Sequence, residues 1–502
     1  MRSDSGRTDR PLSGRPGPAR MNYAYLLAMI GNRLVALISV IILSFLLAPA
    51  AFGLYMLAAT NALLTEIVFG QWIVISANKH ISLAGSAPDR TTASTLGAAM
   101  AGYAAVMALV ALAYLVFPVA QATPALVAIV LGWSTALVLY DASLASQNGL
   151  GESRAYAILA LGKNLGASLL SIALVLMGYG AVGAMLGQIV GTLLPVLLLP
   201  SSNRLWRTVR FGLASRPLML KMLKFGVGGT LALGLYMLFN ATSRNLAGYF
   251  LGESEAGYLS LATDLFFGPL ALIGSAYSLS IVPSLYVVAA QGDPDERRAR
   301  ISGFIHMNLY LAIPYAVGGA LLGADIALAV LPAASQAEIA AISAAVAVQS
   351  AAMLVLYTLT VTMLIFDQRA QLILSVIGTS ALNALLLALL LSRGLGLPAA
   401  AWASALLLGV AVALFIGIGV ARGFIRLELR TLARIGLAAG GMAGAVWLYG
   451  RLLPGEPFGA TLIGLGVYLL LTAWMGVAYF RELIPKRRQD HMEVASMPGQ
   501  FE

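Results

Sequence analysis

The chain has 502 residues, 60% hydrophobic and only 10% charged, with a net charge of +10 and a mean hydropathy of +0.87. That profile excludes an ordinary soluble domain, and 52 glycines suit helices packed closely inside a membrane. There is no cysteine, which excludes disulfides, thiol chemistry and Cys-ligated metals.

Residues 1–20, "MRSDSGRTDRPLSGRPGPAR", carry five arginines among Pro, Gly and Ser and read as a disordered basic cytoplasmic tail. The apolar run that follows from Tyr23 is too long for a signal peptide. Apolar windows of about twenty residues recur near 23–48, 53–77, 93–117, 124–147, 155–177, 181–199, 223–246, 256–289, 302–331, 338–366, 370–391, 399–420, 433–449 and 459–480. They predict an all-α polytopic membrane protein of about fourteen transmembrane helices. The implied organisation is a six-helix lobe over 21–200, a cytoplasmic interfacial linker at 201–222, a second six-helix lobe over 223–420, two additional helices over 421–480 and a tail at 481–502. The stretch "SSNRLWRTVRFGLASRPLMLKMLK" (201–224) mixes basic with bulky apolar residues, the composition of an interfacial amphipathic helix.

Of the 31 Lys and Arg, 26 fall on the tails and even-numbered connectors, two on the odd-numbered connectors and three within spans. This asymmetry predicts that both termini are cytoplasmic. The positive charge is thereby explained by topology and contact with anionic membrane lipids, and nucleic acid is not expected as a partner.

The two halves repeat. "LAPAAFGLYMLAAT" (47–60) follows span one and "LGESEAGYLSLAT" (251–263) follows span seven, with the same Leu-to-Gly and Tyr-to-Thr spacings. "SRAYAIL" (153–159) and "QRAQLIL" (368–374) open spans five and eleven, and each span ends in a similar turn, "GYGAVGAM" (178–185) and "GLGLPAAA" (394–401). Parallel repeats about an axis normal to the membrane are a transporter pattern.

Six ionisable residues lie well within spans: Arg33, Glu66, Asp141, Lys163, Arg244 and Asp264. Such groups are expensive in hydrocarbon and mark functional sites unless they merely pair. Arg33 lies about ten residues into span one, ~15 Å deep at ~1.5 Å per residue. Arg33 lines a cavity or pairs, with Glu66 the acid considered. Lys163 either lines the cavity or snorkels to the inner surface, and Arg244 either lines the cavity or anchors at the outer interface. Glu66 and Asp264 occupy equivalent spans and, with Asp141, are candidates for ion coupling by H⁺ or Na⁺, or for counter-ions; Asp141, closer to the inner end of its span, reads first as structural. Pro269 and Pro283 should bend span eight. His80, His306 and His491 are scattered, no metal-ligand cluster appears and no nucleotide-binding loop is present, so neither an enzyme, a metal nor a cofactor is expected.

"LAPAAFGLY", "NATSRNLAGYFLGESEAGYLSLA" (240–262) and "TSALNALLLALLLSRGLGLPAAAWASAL" (379–406) resemble the Wzx-type polysaccharide and oligosaccharide-lipid flippases of the MOP superfamily. Where such proteins often carry an Asp before the arginine of span seven, Ser243 precedes Arg244 here. The resemblance implies two six-helix lobes in a V around a cavity. It also implies alternating access that carries an undecaprenyl-pyrophosphate-linked glycan across the bacterial inner membrane, with polymerase and assembly proteins as further partners. A diphosphate is multiply anionic, so Arg33, Lys163 and Arg244 are the candidate substrate-binding cations. The alternatives are a multidrug cation antiporter of the same superfamily and a flippase for another lipid-linked precursor, such as that of peptidoglycan. An arginine in the first span, with no acid there, points away from cationic drugs.

Overall fold

A computed structural model describes residues 23–84, 89–117, 123–199, 205–291, 293–366, 368–453 and 456–477. The basic segment 1–20, the tail from 481 and the first residues of the linker lie outside the described residues.

The chain is a succession of helices: α1 (Tyr23–Leu46), α2 (49–84), α3 (Arg90–Val116), α4 (Pro124–Gly149), α5 (Ser153–Leu174), α6 (Gly180–Leu198) and α7 (Arg216–Leu251). Then come α8 (Glu253–Gln291), α9 (Pro294–Val330), α10 (Ala333–Ile365), α11 (369–392), α12 (Leu397–Ala421), α13 (Leu429–Leu452) and α14 (Pro457–Trp474). Eleven stretches of the described residues are long and apolar enough to cross a membrane. One of them, Ser153–Leu198, is two passes folded back at a turn; with α1 and with α7, which follows the linker, the described helices make about fourteen passes.

Helix starts follow local chemistry. Asp89 accepts a hydrogen bond from Thr92 N at 2.6 Å to open α3, Thr123 caps α4 and Asp293 caps α9. Proline sits in the first turn of α2, α4, α7, α9, α12 and α14, where its missing N–H costs nothing. Helix α7 begins at Arg216, inside the segment expected as linker, because Ser215 caps Leu218 N and Pro217 follows directly. The rest of the linker's described part has one helical turn at 205–207 and a short 3-10 turn, Phe211–Leu213, pinned to α3 by Ser94 and Thr95, which accept from Arg210 N and Ser215 N. The helical assignment of α8 runs unbroken through Pro269 and Pro283.

The two turns that the repeat makes equivalent open alike and then diverge. Gly178 has φ 92° and Gly394 has φ 78°, in the left-handed region that favours glycine, but Gly180 has φ 55° where Gly396 has φ −75°.

Helices α1–α6 pack mainly among themselves, as do α7–α12, and α13 and α14 lie against α9. One buried cluster crosses between the halves: Leu43, Phe52, Tyr55 and Trp133 meet Ala262, Phe266, Ile342 and Val346. Helices α2 and α7 run antiparallel along one another. Asn61 faces Asn245 toward one membrane face, and Ser76 donates to Met222 O toward the face that carries the linker.

Candidate functional site

At the end remote from the linker, α2 meets α7 and α8. Gly53 and Gly257, the glycines matched by the repeat, lie against each other: a Cβ on Gly257 would come within 2.9 Å of Gly53 Cα. A Cβ on Gly53 would fall 1.8 Å from Glu253 O, a backbone atom that cannot swing aside. That close crossing brings the polar groups below it together. Arg244 Nη2 lies 3.0 Å from Asp264 Oδ1, and Nη1 donates to Thr60 Oγ1 at 3.0 Å. Asn61 and Asn245 exchange side-chain hydrogen bonds at 2.9 and 3.0 Å. Tyr55, stacked on Trp133, hydrogen-bonds Gln188 near Asp264.

The Arg244 guanidinium is therefore buried and paired. Its acid comes from the next helix; Ser243, at the position where related sequences often carry Asp, instead accepts from Asn383, which in turn accepts from Ser404. A buried arginine is tolerable in a membrane only when its charge and donors are met in this way.

The second group lies within α1–α6. Glu66 begins a single wide π-helical turn of α2, Glu66–Gly70, an irregularity common at functional sites. Glu66 is 3% exposed and lies close enough to Asp141 on α4 for the two carboxyls to interact. Lys163 on α5 acts electrostatically on both acids, and its Nζ lies 5.1 Å from the centre of the Tyr140 ring. Lys163 thus points among acids within α1–α6.

Arg33 is exposed. Among the described residues the ion pairs are Arg244–Asp264 and Arg300–Glu296, so Arg33 is paired with neither Glu66 nor another acid. Its neighbour Asn32 accepts from Asn164, the neighbour of Lys163, tying α1 to α5. The six intramembrane charges therefore fall into three sets: Arg244 with Asp264, Glu66 with Asp141 and Lys163, and Arg33 by itself. Sequence reasoning missed Thr60, Asn61 and Asn245. Polar side chains inside apolar spans were the available signal, but it did not reveal which helices face each other. Among the described residues no three of His, Cys, Asp and Glu gather as metal ligands, and His306 accepts from Glu428 N.

The helices and the buried Arg244–Asp264 pair are those of a polytopic membrane protein, and comparison with known proteins gives its family. Residues 21–286 match the family described as polysaccharide biosynthesis protein. The chain belongs to that family and is a multi-pass membrane transporter of the flippase class. Its fold is similar to that of the lipid II flippase MurJ in an inward closed conformation, with TM-score 0.73 and 16% identity over 92% of this chain and 99% of the other. An inward-facing multidrug-resistance MATE transporter follows at TM-score 0.55 and 14% identity, covering 80% of this chain and 94% of its own. A MOP-superfamily transporter from Pyrococcus furiosus, described as having a binding pocket of reversed polarity, gives 0.50 and 14% over the same shares. No curated protein sequence matches.

Proposed function

We propose that this chain flips an undecaprenyl-pyrophosphate-linked oligosaccharide repeat unit across the cytoplasmic membrane, by alternating access, for cell-surface or exopolysaccharide synthesis. The family match supports the glycan class. The observation that carries the mechanism is Arg33, an exposed intramembrane cation in neither ion pair of the described residues, while Arg244 is paired with Asp264 and Lys163 acts on Glu66 and Asp141. A guanidinium in that state offers its planar donor fork to phosphate oxygens. Lys163 and Arg244 are further ligand candidates, Arg244 being reached only if Asp264 lets go. The positive-inside asymmetry orients both termini and the linker to the cytoplasm. Glu66 and Asp141 hold a proton that a gradient could exchange, with Asp264 as the second candidate for coupling.

The test is complementation of a strain lacking the chain. The deletion should accumulate an undecaprenyl-pyrophosphate-linked glycan. Arg33→Gln should reach normal abundance yet fail to clear it, and Arg33→Lys should clear it in part, because Lys keeps charge without the fork. Accumulation of the peptidoglycan precursor instead would support the alternative flippase reading. Full clearance by Arg33→Gln would remove Arg33 from the substrate path.

A further inference from the structure

A cavity of about 230 Å³ lies at the linker face, between the start of α9 and the turn that leaves α12. Its lining includes Arg297, Arg298 and Arg422 against a single acid, Asp295. None of the site residues above belongs to it. Arg298 is fixed: its Nε donates to Gly423 O, in a turn where Gly423 has φ 75°. That bond uses one of five N–H donors. The Arg297 guanidinium lies 5.2 Å from the centre of the Phe366 ring, which holds its plane. Arg422 stands exposed at the end of α12, in neither of the ion pairs of the described residues.

Continuous with this cavity, through Ile301 and Phe424, runs a mostly apolar cleft walled by Leu359, Met363, Phe366 and Phe415. The two together are amphiphilic: a cluster of guanidiniums at a membrane face opening onto a greasy slot. Free phosphate would use only the first part. We infer that this pocket binds an anionic diacyl phospholipid, its phosphate among Arg297, Arg298 and Arg422 and part of one chain in the apolar cleft. Basic pockets between transmembrane helices are a known mode of headgroup capture. The placement has a mechanical consequence. Arg298 donates to Gly423 O, Ser302 accepts from Arg426 N and His306 accepts from Glu428 N, so α9 already holds the strand of chain between α12 and α13. A headgroup bridging Arg298 and Arg422 would fasten the same joint. Only the leaflet, cytoplasmic, rests on the proposed orientation; the binding does not rest on the proposed cargo.

The experiment uses the purified full chain in detergent. Short-chain phosphatidylglycerol, phosphatidylcholine of the same chain length, and inorganic phosphate are titrated separately, with bound ligand counted by native mass spectrometry. Phosphatidylglycerol should bind about five-fold or more tighter than phosphatidylcholine, and Arg422→Gln should remove most of that preference without lowering the lipid-free melting point. Arg300→Gln, a nearby arginine outside the pocket, should leave it intact. Equal binding of both lipids, or a preference that survives Arg422→Gln, overturns the inference. Phosphate binding that matches phosphatidylglycerol and depends on Arg422 also overturns it, by reducing the site to one for free anions.

Discussion

Glu66 and Asp141 come from different helices and interact carboxyl to carboxyl inside the membrane. Both were visible in the sequence as acids inside apolar spans, and Asn32 and Asn164 were visible beside two cations whose helices they tie together. What residue patterns could not give is partner choice. Arg33 was weighed with Glu66, but Glu66 pairs with an acid that read as merely structural, and that preference is a matter of helix rotation. The proposed coupling through this pair makes a prediction. Glu66→Gln preserves a neutral hydrogen-bonding group of the same shape beside Asp141 but cannot give up a proton. In proteoliposomes the variant should fold and still move glycolipid downhill, while losing any stimulation by an imposed pH gradient. Glu66→Leu should behave differently, because it strands Asp141 and Lys163 in a buried site at a cost of about 1–3 kcal/mol, read as a lower melting point. Gradient stimulation that persists in both Glu66→Gln and Asp141→Asn would exclude this pair from coupling.

At the scale of elements, α2 is the helix on which the two halves depend. Its first turns cross α8 at Gly53 and Gly257, its middle widens into the π-helical turn at Glu66, and its last turns carry Ser76 and Lys79 against α7. The spans themselves were legible from hydropathy, because a membrane demands long apolar helices with internally satisfied backbones. So was the repeat, through the spacing of Leu47 to Gly53 and of Leu251 to Gly257. The contact between those glycines was not legible, since it depends on two distant helices approaching closely enough to exclude a methyl group. The start of α7 at Arg216 was also missed, because its first turns mix basic with apolar residues and read equally as linker; the Ser215 cap decides it. Gly53→Val tests the crossing. The added Cβ meets backbone at 1.8 Å, so α2 and α8 must separate at that end. In a chain with no native cysteine, a reporter Asn61→Cys should react severalfold faster with a membrane-impermeant maleimide when Gly53→Val is also present. Unchanged reactivity would mean that the crossing does not hold this end shut.

For the molecule as a whole, alternating access requires the halves to part at one face while they hold at the other. In this conformation α2 and α7 touch toward both faces, at Asn61–Asn245 and at Ser76–Met222. The Arg244–Asp264–Thr60 set sits beside the first of these contacts, and its parting would separate a guanidinium from its acid. Deleting Asp264 is a poor probe, because a buried unpaired Arg244 would cost roughly 3–5 kcal/mol and confuse folding with gating. The Arg244 Nε–H is already buried without a hydrogen-bond partner, so the latch is not fully satisfied and has a reason to yield. A reversible tether is the cleaner test. Asn61→Cys with Asn245→Cys replaces a pair of neutral side chains 2.9 Å apart, and a short bis-methanethiosulfonate reagent can bridge them. Bridging should stop translocation in proteoliposomes, reductant should restore it, and each single cysteine should be indifferent to the reagent. Transport that continues with the bridge complete would show that this end stays closed through the cycle. The moving contact would then have to be sought around Ser76 and Met222.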